Sequence, residues 1–113
     1  MSSELFSEIY NKALDILSRR EHSVLELKQK LQKKFDTEYD IKETITRLKK
    51  NNLLNDYRFS ESYVVFRKRK GFGPIKISNE LKSKGVAEVI IFEVLDNEGG
   101  WDEAANKAFS KRF

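Results

Sequence analysis

Apolar residues recur along this chain at intervals of three and four. Leu5, Ile9, Ala13, Ile16 and Leu17 share one face of a first helix, and Arg19, Arg20 and Glu21 end that pattern in charge. Ser23-Val24-Leu25-Glu26 has the form of a capping box, in which the serine oxygen accepts from a free backbone N–H and the glutamate reaches back. The helix it opens carries Leu27, Leu31 and Phe35 on one side. Asp40-Ile41-Lys42-Glu43 reads as a second capping box, opening a helix from Ile41 to Lys50 with Ile41, Ile45 and Leu48 inward. Asn51-Asn52 predicts a frayed end, and Leu53-Leu54 a plug for the core.

The cycle then restarts. Asp56 is the expected N-cap of a helix with Phe59, Tyr63 and Phe66 on its apolar stripe, running out through Arg67-Lys68-Arg69-Lys70 into Gly71. Gly73-Pro74 opens the next helix, because proline at the first helical position loses no needed N–H. Ile77 and Leu81 line it, and Lys84-Gly85 ends it. Val86, Ile90 and Val94 lead a further helix that stops at Asn97-Glu98-Gly99-Gly100. A last short helix, Trp101 to Phe109, is expected to bury Trp101 and Ala105, with Ala108 beside them.

The two halves resemble each other. A shift of about 50 residues superposes the segment from Ser23 to Leu31 on the segment from Gly73 to Leu81. It also pairs Ile9 with Phe59, Ala13 with Tyr63 and Ile16 with Phe66. A slightly shorter shift pairs Ile45 with Phe92 and Leu48 with Leu95. A period this long marks a stacked helical array. The expected fold is all-α, built from tandem three-helix repeats of helix-turn-helix character in an elongated, curved array. The first repeat spans 4–54 and the second 55–98. Residues 99–113 form the first helix of an incomplete third.

Composition narrows the function. With 39% hydrophobic and 35% charged residues, no apolar run approaches the roughly 20 residues a spanning helix needs. The first residues lack the pattern of a signal peptide, so a cytoplasmic location is expected. There are no cysteines, hence no disulfide or thiolate chemistry. His22 is the only histidine, and its place beside a helix cap suits a structural role better than that of a general base. Gly71-Phe72-Gly73 lacks the lysine and serine or threonine of a phosphate loop and reads as a turn. The acids from Glu88 to Glu103 lack the alternation of a calcium loop. These absences point away from an enzyme.

The net charge of +4 is unevenly spread. Arg67, Lys68, Arg69, Lys70, Lys76, Lys82 and Lys84 face one acid, Glu80, across the middle of the chain. Glu88, Glu93, Asp96, Glu98, Asp102 and Glu103 follow with no base among them. Two solvated helix faces of opposite sign would explain this, as would a footprint for a polyanion or an acidic protein surface.

Several motifs, taken in order, are similar to those of the RecX family of regulatory proteins. They are Ala13-Leu14-x-x-Leu17-x-x-Arg20, Ser23-x-x-Glu26-Leu27-x-x-x-Leu31, Leu53-Leu54-Asn55-Asp56-x-x-Phe59, Lys70-Gly71-Phe72-Gly73-Pro74-x-x-Ile77 and Glu80-Leu81-x-x-Lys84-Gly85. The resemblance covers roughly residues 13 to 95. It implies three tandem three-helix repeats and no cofactor. It implies binding to the RecA–DNA filament, with lowered ATPase, strand-exchange and coprotease activities, and in some members direct DNA binding. The third repeat is represented here only by Trp101 to Phe113.

On this reading the contact patch is Arg67, Lys68, Arg69, Lys70, Lys76, Lys82 and Lys84, the basic run standing on an exposed helix end beyond its core contacts. A secondary patch is Arg19, Arg20, Lys28, Lys30, Lys33 and Lys34. Helical pairs such as Glu26 with Lys30, or Glu80 with Lys76 or Lys84, would account for some of these charges structurally. Ser23, Asp40, Asp56, Gly73 and Gly85 are caps and turns that aim the helices. Tyr63, Phe66 and Trp101 belong to the core. The expected partners are the RecA filament and, without sequence preference, single- or double-stranded DNA, bound by a monomer. The alternative is a nonspecific DNA-binding module of the helix-turn-helix type. Its second third helix, Val86 to Leu95, is acidic and apolar and offers no row of base-reading side chains. A pure scaffold would leave the charge asymmetry unused.

Overall fold

The computed structural model describes residues 3–101, which form six helices: α1 (Ser3–Arg19), α2 (Val24–Lys34), α3 (Glu38–Lys50), α4 (Asp56–Arg69), α5 (Pro74–Ser83) and α6 (Glu88–Glu98). No strand occurs among the described residues. The chain divides into two compact units, residues 1–56 and 57–113. The expected last helix, with Ala105 and Ala108, lies outside the described residues apart from Trp101.

In the first unit α1 and α2 both pack on α3. Ile9, Ala13, Leu27, Leu31, Ile41, Ile45, Leu48 and Leu54 form the buried core. All but Leu54, which was expected as a plug, are positions the three-and-four spacing selects, and each fully buried aliphatic side chain contributes roughly 1.5–3 kcal/mol. Leu53, expected to share the plug, is instead exposed.

The first turn of α2 is held by three carboxylate or hydroxyl groups. Ser23 Oγ accepts from the Glu26 N–H at 3.1 Å, and the Glu26 carboxylate accepts from the Ser23 N–H at 3.1 Å. The Asp56 carboxylate accepts from the Val24 N–H at 2.8 Å. Asp56 was expected to cap α4. It is itself the first residue of that helix, and its side chain satisfies an orphan donor of α2 instead.

The second capping box is also corrected. α3 starts at Glu38 with Thr37 as its N-cap, so Asp40 lies inside the first turn and accepts from Thr37 Oγ1 at 3.0 Å. An acid there still favours the positive helix end. The end of α3 is not frayed. Asn52 takes a positive φ of 59°, the Leu53 N–H returns to the Leu48 carbonyl, and the Asn52 N–H returns to that of Lys49. This is a closed Schellman end with asparagine in the glycine position. α4 and α5 end the same way, on Gly71 and Gly85 with φ of 94° and 82°.

The second unit buries Phe59, Val64, Ile77, Leu81, Val86, Ile91 and Val94. Leu27 with Ile77 and Leu31 with Leu81 keep the expected repeat register. Two expectations fail. Phe66 is 53% exposed, because the inward stripe of α4 runs through Ser60 and Val64 and leaves Phe66 to one side. Phe92 is 75% exposed, so the third helices pair Ile45 with Ile91 and Leu48 with Val94 instead. Tyr63 and Trp101 are half-buried against the core.

Candidate functional site

The basic run at the end of α4 separates into inward and outward members. Arg67 is half-buried and grips Glu80 of α5 with two hydrogen bonds, Nε to Oε1 at 2.9 Å and Nη2 to Oε2 at 2.8 Å. The Tyr63 hydroxyl donates to the same Oε1 at 2.9 Å, and Lys76 Nζ lies 3.8 Å from Oε2. The Phe72 ring closes this corner, with Arg67 Cζ 3.9 Å from its centroid. The Arg67 hydrogen bonds, with smaller help from Tyr63 and Lys76, hold the Glu80 carboxyl below its usual range. The Glu80 carboxylate in turn pushes Arg67 up. A forked guanidinium matches a carboxylate in a way a lysine does not.

Lys68 is also spent inside the unit. Its Nζ donates to the Gly99 carbonyl at 2.7 Å and to Glu98 at 3.3 Å, and it lies 5.0 Å from the Trp101 ring centroid. It therefore closes the C-terminal end of α6, where a cation complements the dipole. Arg67 and Lys68 are thus not free helix-end charges. Reversing all four bases would remove two internal ties, contrary to the expectation that the core contacts lie wholly earlier in the helix.

Arg69 and Lys70 are exposed, and Lys70 lies 5.0 Å from the centroid of the exposed Phe66 ring. Lys82 pairs with Glu88 at 3.3 Å, both well exposed. Lys84 is half-buried with Nζ 5.4 Å from the Tyr63 ring centroid. Arg67, Lys76 and Lys84 thus meet around Tyr63, Phe72 and Glu80, whereas Lys68 and Lys82 turn towards opposite ends of α6.

The first unit places its bases differently. Arg19 pairs with Asp15 at 3.4 Å, and Arg20 with Glu26 at 3.3 Å. Lys28 pairs with Glu38 at 3.6 Å, while Lys33 and Lys34 are exposed in the last turn of α2. Lys30 does not pair with Glu26. Its Nζ lies 2.8 Å from His22 Nε2. His22 Nδ1 lies 3.0 Å from the Arg20 carbonyl. An ammonium only donates and a carbonyl only accepts, so Nδ1 carries the proton and Nε2 receives. The ring is 1% exposed and neutral. Burial first, and then the Arg20 and Lys30 charges, push its pKa below the ordinary 6.5 against the Arg20 carbonyl and Glu26.

Two features had no expectation behind them. One is a groove of about 430 Å³ between α5 and α6, lined by Pro74, Ile91, Phe92, Leu95 and Trp101 among others. Phe92, exposed on α6, is one wall of it. The other is the His22–Lys30 contact, which spans eight residues around a corner and has no sequence signature. Among the described residues, no group of three histidine, cysteine, aspartate or glutamate side chains could hold a metal ion. No described helix is long and apolar enough to cross a membrane.

Two family models match this arrangement, the first three-helix domain of RecX over residues 10–48 and the second over residues 55–95. The chain belongs to the RecX family. The regulatory protein RecX of Haemophilus influenzae strain PittEE is 43% identical over 115 residues, covering 100% of this chain and 73% of the relative. That of Legionella pneumophila strain Corby is 35% identical, covering 95% of this chain and 72% of the relative. The crystal structure of RecX from Lactobacillus salivarius superposes with a TM-score of 0.79 at 30% identity, over 87% of this chain and 64% of that one. A second RecX crystal structure gives 0.81 at 25%, over 90% and 52%. The chain therefore spans less than two thirds of the solved RecX chains it matches. The first match encloses α2 with most of α1 and α3, and the second encloses α4 and α5 with most of α6.

Proposed function

We propose that this chain regulates RecA by binding the RecA–DNA filament, and that binding lowers the filament's ATPase, strand-exchange and coprotease activities. The observation that carries the reading is the 43% identity, across the whole chain, to a protein named regulatory protein RecX. The charge distribution supports it. Arg69, Lys70 and Lys82 are exposed on the second unit, with Lys76 and Lys84 beside them, and would meet phosphates or acidic side chains. Arg67 and Lys68 act as positioning residues for that surface. The protein works as a cytoplasmic monomer without a cofactor.

The test is binding to three species at one near-physiological salt concentration: RecA filaments on single-stranded DNA, naked single-stranded DNA, and free RecA. The filament should bind most tightly. Equal affinity for naked DNA and filament would favour a nonspecific DNA-binding module and overturn the filament reading.

A further inference from the structure

The corner between α1 and α2 holds a surface cavity of about 520 Å³. Lys12, Arg19, Arg20 and Lys30 line it, with Asp15 as the single carboxylate and His22 at its floor. We propose that this cavity binds a phosphate group, and that the buried imidazole of His22 holds the Lys30 ammonium in place for it. The site stands independently of the filament reading.

The cations of this corner differ in what already holds them. Asp15 sits on the rim and is matched by Arg19 at 3.4 Å and Lys12 at 3.9 Å. Arg20 is anchored by Glu26 at 3.3 Å and by the Glu21 carbonyl at 2.8 Å, which fixes its direction. Lys30 is the unusual member. Among the described residues it has no carboxylate partner, and its one hydrogen bond is to the neutral Nε2 of His22. A neutral acceptor orients an ammonium without cancelling its charge, and two of its three N–H groups stay available. The imidazole is itself locked by its Nδ1–H bond to the Arg20 backbone carbonyl, so the ring that holds Lys30 is fixed to the main chain.

A surface lysine held only by solvent would lose side-chain entropy on meeting an anion. One already held by a buried ring loses less. The ligand chemistry follows. The pocket offers several N–H donors and excess positive charge, which suits a tetrahedral oxyanion. A cavity of this size also accommodates the groups that flank a phosphodiester. The two sources of such a group are the nucleic-acid backbone and free phosphate.

The experiment uses the full chain, labelled for NMR, titrated at constant ionic strength with inorganic phosphate and, separately, with a short single-stranded oligothymidylate. The expected result is saturable shifts at Arg20, His22 and Lys30. Lys30→Gln, at an exposed position, should leave the fold intact and weaken binding at least about tenfold, the equivalent of one charge-assisted hydrogen bond. Saturation by phosphate alone identifies free phosphate as the ligand; saturation by the oligonucleotide identifies the backbone. Either supports the site. Non-saturating shifts in both arms, shifts spread equally over Lys33 and Lys34, or unchanged affinity in Lys30→Gln would overturn it.

Discussion

The corner between α1 and α2 and the corner between α4 and α5 are the same place in two copies of one repeat, yet they are closed by opposite means. In the first unit a buried histidine holds a lysine, and the positive charge is left over. In the second, Phe72 stands where His22 would be and Glu80 where Lys30 would be. There Arg67, Tyr63 and Lys76 converge on the carboxylate, and the charge is consumed inside the unit. The aliphatic pairs beneath them, Leu27 with Ile77 and Leu31 with Leu81, are buried alike. The apolar register maintains the repeat, while the polar side chains at its corner are free to diverge, because each needs only a local partner.

The largest effect should come from breaking the first corner. His22→Ala removes a buried ring and both of its hydrogen bonds, at a cost of roughly 2–4 kcal/mol. Amide hydrogen exchange should accelerate throughout the first unit, and unchanged protection of α1 and α2 would contradict the role given to this ring. Breaking the second corner should cost less. Glu80→Ala strips Arg67, Tyr63 and Lys76 of a common acceptor, but all lie near enough to solvent for water to compensate in part. A fall of a few degrees in the unfolding midpoint is expected, with faster exchange in α4 and α5.

Acid should distinguish the two corners without mutation. The unfolded chain carries His22 at its ordinary 6.5, and the folded value is lower, so the unfolded state binds more protons below 6.5. That stability is full above 6.5 and is lost as pH falls through 6.5 towards the folded value. Glu80 is held below its ordinary 4.5, so its contribution is full above 4.5 and is lost only below it. Asp56 runs the other way. Burial raises it above 3.8 against its Val24 hydrogen bond, and its unfavourable contribution is relieved as pH falls. Between about pH 7.5 and about pH 6 the first unit should therefore loosen while the second does not. Hydrogen exchange at several pH values reads this directly, and the same response in His22→Gln would assign it to another group.

Much of the fold was legible because burial follows periodicity. Ile9, Ala13, Leu27, Leu31, Ile41, Ile45 and Leu48 lie on the stripes that their spacing draws. The capping box at Ser23 was legible because its partners are three residues apart. The failures occur where a local rule has two solutions or none. Thr37 and Asp40 are both acceptable caps, and only the start of α3 decides between them. Phe66 and Phe92 are as apolar as their neighbours, and their exposure depends on how far round each helix the packing reaches. Arg67 with Glu80 and Asp56 with Val24 join residues far apart in sequence, beyond any i,i+4 rule. The basic patch was legible as composition, but its division into internal ties and outward charges was not.

The most direct test of the account is RecA filament ATP hydrolysis titrated with three proteins: the unmodified chain, Arg69→Glu with Lys70→Glu, and Lys33→Glu with Lys34→Glu. Both pairs are exposed, so all three should fold alike, and their thermal unfolding should coincide closely. The unmodified chain should lower the rate as its concentration rises. Reversal in the second unit should raise the concentration for half-inhibition at least about tenfold, because it turns collective attraction into repulsion, and reversal in the first unit should raise it less. Unaltered hydrolysis in the presence of the unmodified chain, or coincident curves for it and the Arg69 and Lys70 variant, would contradict the account.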